Sequence, residues 1–120
     1  MVEDQKTFME ATNQTIHVNN SEQSKTYIAL CREEAAELQL AYTQEPLENI
    51  LKEAIDNIVV NIGLILSYGI DPYAVWTMVW KHNMLKTKNF VKNEEGKVLQ
   101  TTSSKAAKQT MLQNIRELIG

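Results

Sequence analysis

The chain has 120 residues, 43% hydrophobic and 22% charged, with 12 Lys and Arg against 15 Asp and Glu for a net charge of −3. That balance is globular rather than disordered, and without a basic block neither nucleic acid nor a membrane surface has an electrostatic footprint to meet. The single Cys31 excludes an internal disulfide and suits a reducing compartment.

The acidic opening MVEDQKTF lacks the apolar segment of a secretory signal. The apolar run at 57–66 is shorter than the roughly 20 residues a bilayer requires. The expectation is one soluble, cytoplasmic domain over residues 1–120.

With four Gly and two Pro, the recurring signal is helical. A first helix is predicted over about residues 2–11, followed by a polar, Asn-rich loop at 13–24. A second helix is predicted from about Lys25 to Thr43, its core line passing through Ile28, Cys31, Ala35, Leu38 and Tyr42. Pro46 suits the first turn of a third helix that runs to Tyr68, and Gly69 stops it. Leu51, Ile55, Val59, Ile62 and Leu66 would form its core face. Asp71 and Pro72 open a fourth helix ending near Lys86. The turn signal Glu-Glu-Gly, between Val91 and Val98, predicts a small hairpin or an ordered loop near 90–99. A last helix, opened by Ser caps, puts Met111, Leu112, Ile115, Leu118 and Ile119 on one stripe. The fold class is therefore all-α, a helical bundle.

Two acidic pairs interrupt this apolar pattern. Glu34 and Glu37 lie near the apolar side of the second helix, and Glu53 and Asp56 sit on the greasy third helix. Fifteen residues separate Glu37 from Glu53, so two antiparallel helices bring the pairs to one level. Four partly desolvated carboxylates repel one another. A divalent cation would offset that repulsion, and an all-oxygen set points to a hard ion, Mg²⁺ or alternatively Mn²⁺. Taken one at a time, such a pair is more often solvated surface charge than a site; their pairing on consecutive helices favours a site. Asn61, inside VVNIGL, would need a partner if buried, either a nucleotide, a second subunit or its own core. Trp76 and Trp80 form an i, i+4 pair whose simplest reading is bundle packing, ahead of base stacking.

The pattern Glu34-x-x-Glu37 followed by Glu53-x-x-Asp56 resembles the signature of the MazG-like all-α NTP pyrophosphohydrolases, which include dimeric dUTPases and phosphoribosyl-ATP pyrophosphohydrolases. The resemblance covers about residues 25–100, and Asn83-x-x-Lys86 is similar to the Asn and basic residue closing the family's fourth helix. It implies a four-helix core completed by a partner subunit. The implied reaction is Mg²⁺-dependent hydrolysis of a nucleoside triphosphate, with deoxynucleotides favoured, to a monophosphate and pyrophosphate, as house-cleaning. Glu34, Glu37, Glu53 and Asp56 would hold the metal and carry catalysis, with Glu34, Glu37 or a neighbour taking the water's proton. Asn83, Lys86 and Lys97 would meet the phosphates or sugar, and Gln14 would close over the base. Phosphoribosyl-ATP hydrolysis is the alternative within the class, and a non-catalytic interaction module the alternative outside it. The apolar surplus of the third helix and of the tail adds a homo-oligomer, tetramer before dimer.

Overall fold

The computed structural model describes residues 1–88, 91–99 and 102–120, with the backbone alone at 102–104. Its elements in chain order are α1 (Val2–Ala11), α2 (Ser21–Gln44), α3 (Leu47–Ser67), α4 (Pro72–Leu85), β1 (Val91–Lys92), β2 (Val98–Leu99) and α5 (Thr102–Ile119). They form two compact units, Met1–Pro72 and Tyr73–Gly120. The chain is all-α apart from the antiparallel β1–β2 hairpin. No single helix among the described residues is long and apolar enough to cross a membrane.

The first unit is built on the α2–α3 hairpin. α2 starts at Ser21, four residues before the position expected from periodicity, because Asn20 caps it: its Oδ1 accepts from the Gln23 backbone N–H at 3.1 Å. Gln23 also joins the loop to the helices. Its Oε1 accepts from the Thr15 N–H, and its Nε2 donates to Thr15 O and to Ser67 Oγ at 3.0 Å. The Asn20 N–H donates to Ser67 O at 2.8 Å, so the start of α2 is tied to the end of α3 and the two helices run antiparallel. At the other end only Glu45 and Pro46 separate them, with Pro46 just ahead of α3 rather than inside it.

In the first unit two left-handed residues turn the chain. Asn13 (φ 62°) ends α1 in a Schellman motif, in which the Gln14 N–H donates to Met9 O at 2.8 Å and the Asn13 N–H to Glu10 O at 3.2 Å. Gly69 (φ 74°) ends α3 against the backbone of His17 and Val18, where a Cβ would collide.

The packing line of α2 differs from the expected one. Ile28, Ala35 and Tyr42 are exposed, whereas Tyr27, Glu34 and Ala41, each one residue earlier, face inward. Small residues set this rotation. The Tyr27 ring lies directly over Gly63 of α3, in space a side chain there would fill. Met9, Ile16, Tyr27, Val60 and Leu66 form the buried core around that contact, joined by Leu30, Cys31, Ile62 and Leu64.

α3 is rotated correspondingly. Leu66 is buried as expected, but Leu51 and Ile55 are 58% and 52% exposed. The side carrying Glu53, Asp56, Val60 and Gly63 faces inward instead. Backbone approach at Gly63, not the greasiest stripe, decides which face of α3 meets α2.

In the second unit the hairpin register is Val91 to Leu99 and Lys92 to Val98. Asn93 Oδ1 closes its turn by accepting from the Glu95 and Lys97 N–H groups, and Gly96 takes φ 84°. Phe90, at the expected start of this hairpin, lies outside the described residues. α5 begins at Thr102, so Ser103 and Ser104 fall in its first turn; their side chains, expected as caps, lie outside the described residues. Met111, Leu112, Ile115 and Leu118 are half-buried along the expected stripe, with Ile119 exposed.

Replacing Gly63 with Ala drives a methyl into the Tyr27 ring. The expected cost is about 1–3 kcal/mol, read as a lower melting temperature by circular dichroism. Gly63→Ala, Tyr27→Leu, which removes the ring, recovers part of the loss if the contact is the cause.

Candidate functional site

The four acids expected to converge come from facing helices of the first unit. Glu34 and Glu37, separated by three positions on α2, share a face of the helix, as do Glu53 and Asp56 on α3. Because α2 is rotated onto Tyr27, Glu34 and Glu37 lie on the α2–α3 seam itself rather than beside it. Glu34, Glu37 and Glu53 each offer a carboxylate oxygen within 4.8 Å of the others. Asp56 stays outside that trio; its Oδ2 contacts Lys52 Nζ at 2.7 Å, and the same ammonium is 3.3 Å from Glu53 Oε1.

Asn57 holds the seam at this level. Its Nδ2 donates to Glu34 O at 2.9 Å and to Glu53 O at 2.7 Å, joining the backbones that carry two of the acids. Neither Asn57 nor Lys52 stood out from the sequence. The available signal was position: Asn57 adjoins Asp56 and lies four residues after Glu53, and Lys52 lies four residues before Asp56.

The electrostatics are strained. Glu34 Oε2 and Glu53 Oε2 are buried without a hydrogen-bond partner among the described residues, a costly state for carboxylate oxygens. The Glu34 carboxyl is pushed up from 4.5 to about 7, by burial first, then by the charges of Glu37 and Asp56, its hydrogen bond with Glu37, and the charge of Glu53. The pKa of Lys52 is raised as well, by its hydrogen bonds to Asp56 and Glu53 first, and for an ammonium that favours the charged form. Orphaned oxygens, clustered carboxylates and an all-oxygen donor set fit a hard divalent cation.

The other expected residues are dispersed. Asn83 and Lys86 line one cavity of about 420 Å³ in the second unit, with Thr87, Lys92 and Val98. Lys97 does not line it; its backbone closes the hairpin turn with Asn93. Asn61, expected to need a buried partner, is exposed, and its Nδ2 donates to Asn57 O of its own helix at 2.7 Å. Gln14 Oε1 accepts from the Tyr27 hydroxyl at 2.6 Å. Trp76 and Trp80 stack with centroids 5.5 Å apart, yet both are exposed, so bundle packing within the chain does not account for them. A larger cleft of about 690 Å³ between α4 and α5, with Met78, Leu85, Met111 and Leu118 among its walls, contains none of the four acids.

The Glu34 shift has a definite sign. Its folded-state pKa lies above the unfolded value, so this group favours folding at acid pH and its contribution is lost as pH rises from about 4.5 to about 7. Glu34→Gln removes that dependence. The melting temperature of the variant minus that of the wild type, without added metal, therefore increases from about pH 5 to about pH 8. A difference that stays flat across this range would contradict the strain assigned to Glu34.

Comparison with curated proteins gives no match, and comparison with solved structures gives none either. The phosphoribosyl-ATP pyrophosphohydrolase family matches residues 3–83, a span that includes α2, α3, all four acids and most of α1 and α4. The chain belongs to the phosphoribosyl-ATP pyrophosphohydrolase family, within the MazG-like all-α NTP pyrophosphohydrolase superfamily.

Proposed function

We propose that this chain is a Mg²⁺-dependent nucleoside triphosphate pyrophosphohydrolase. It cleaves (d)NTP between the α- and β-phosphates to (d)NMP and pyrophosphate, as house-cleaning of unwanted nucleotides. The observation that carries the reading is the convergence of Glu34, Glu37 and Glu53 on a half-buried seam, two of them with orphaned oxygens, in a member of a pyrophosphohydrolase family. Glu34, Glu37 and Glu53 would hold the ion, with Asp56 as the fourth ligand, and Mn²⁺ is the next best fit. Such an ion, when bound, supplies Lewis-acid polarisation of phosphate oxygens and a more acidic water.

The chain's own groups provide position and proton transfer. Asn57 fixes the separation of the backbones bearing Glu34 and Glu53. Glu34 or Glu37 takes the proton of the attacking water. Asn83 and Lys86, which share a cavity, bind phosphate or sugar, the ammonium serving as a point charge.

Phosphoribosyl-ATP is the second substrate reading, favoured by the description of the matching family. It presents the same α–β anhydride. A panel of NTPs, dNTPs and phosphoribosyl-ATP with Mg²⁺, scored for pyrophosphate release, separates the two. Solvent ¹⁸O is expected in the monophosphate, and orthophosphate plus diphosphate as first products would exclude attack at the α-phosphorus. Glu37→Gln and Asp56→Asn are each expected to lower kcat by about 100-fold or more while retaining helical circular dichroism. Wild-type turnover in both would remove these acids from the site.

The active form is proposed to be a homo-oligomer, tetramer before dimer. Leu47, Leu51, Ile55 and Ile58 form an exposed stripe along α3, and a contiguous apolar surface of this kind favours a closed symmetric contact. Light scattering is expected to give a multiple of 13.7 kDa, and Ile55→Glu to shift it toward that value. A fully active species at the monomer mass would show that the stripe needs no partner.

A further inference from the structure

Lys52 brings a positive charge into the acid cluster from its rim. It stands next to Glu53 and one helical turn before Asp56, so its stem and both carboxylates rise from the same part of α3. Its side chain is 65% exposed while that of Glu53 is 14% exposed, so a solvated stem reaches in to a largely buried acid. The ammonium contacts Asp56 Oδ2 at 2.7 Å and Glu53 Oε1 at 3.3 Å. Asp56 is also the one acid of the four outside the set whose oxygens lie within 4.8 Å of one another. Asp56 is thus paired on the rim through Oδ2, outside the set of oxygens that Glu34, Glu37 and Glu53 bring together.

We propose that Lys52 is a resident counter-ion of this cluster, which keeps Asp56 out of the ligand set until a divalent cation displaces it, and whose freed ammonium then pairs with the polyphosphate of the incoming nucleotide. The proposal rests on the metal-dependent reading above. An ammonium and a divalent cation repel each other and compete for the same carboxylate oxygens, so binding of the cation at Glu53 and Asp56 requires Lys52 to leave. Once released, a flexible four-carbon stem at the mouth of the site carries a charge that matches phosphate. Lys52 therefore opposes binding of the metal alone and favours binding of the metal together with a polyphosphate. That makes it a positioning residue for Asp56 and a contact for substrate.

The test compares wild type with Lys52→Gln, Lys52→Met and Lys52→Arg. Free Mn²⁺ is titrated by electron paramagnetic resonance, and KM and kcat are measured with the nucleotide turned over fastest in the panel. Lys52 is exposed, and circular dichroism verifies that each variant is folded. Lys52→Gln and Lys52→Met are expected to bind Mn²⁺ alone roughly 1.5- to five-fold more tightly, the range an exposed ion pair supports, while KM for the nucleotide rises. Lys52→Arg, which keeps the charge, is expected to return Mn²⁺ affinity toward the wild-type value. Tighter metal binding with weaker substrate binding is the signature, since mere loss of structure would weaken both. Wild type that binds Mn²⁺ with neutral variants no tighter overturns the role of Lys52 and leaves the metal reading standing. An unchanged KM overturns the phosphate contact. Absence of Mn²⁺ binding in every form overturns the metal reading and this proposal with it.

Discussion

The close approach of two helix backbones organises the first unit. Tyr27 can lie on α3 only because residue 63 is glycine, and once the ring is seated the rotation of both helices follows. Glu34 turns inward with Tyr27, seven positions apart on one face, and Glu53 and Asp56 turn inward with Gly63. The acid cluster is thus a consequence of where the small residue falls. Its electrostatic cost is borne by a contact that buries an aromatic ring and satisfies its hydroxyl through Gln5 and Gln14. Strain at a polar cluster, supported by well-packed surroundings, is how binding sites are commonly built.

Much of this was legible in the sequence. Helical periodicity gave α1, α3 and α4 to within a residue or two, because Pro46, Gly69 and Pro72 act through backbone geometry that no tertiary contact changes. The hairpin was legible from Glu-Glu-Gly for the same reason. The spacing of the acid pairs gave the convergence of Glu34, Glu37 and Glu53, since antiparallel helices joined by a short loop fix which residues are level. The start of α2 was hidden because Asn20 lies in a run of polar residues where several could cap, and only the bond to Gln23 distinguishes it.

The faces of the helices were less legible. A periodicity reading ranks stripes by apolarity, and that ranking put Leu51 and Ile55 inside. Helix contact is also decided by how closely backbones can come, and one glycine outweighed two larger apolar residues. For Asn61 the apolar neighbours in sequence left a core role open, whereas its side of α3 is exposed and the amide bonds to Asn57 O of its own helix. Lys52 and Asn57 escaped notice because their roles depend on rotamer and on a carbonyl across the seam, neither of which a residue type reveals.

The α2–α3 hairpin is fastened at both extremities, by the two-residue Glu45–Pro46 link at one and by Asn20, Gln23 and Ser67 at the other. Mechanically this is a pair of beams clamped at each end with the acids near mid-span, where Asn57 adds a cross-tie. Such a frame resists splaying and sliding, so the carboxylates adjust by rotating their own short side chains while the helices stay in place. The spacing of the oxygens is then set by the frame, and the size of any ion the cluster could hold would be a property of the scaffold rather than of any one carboxylate.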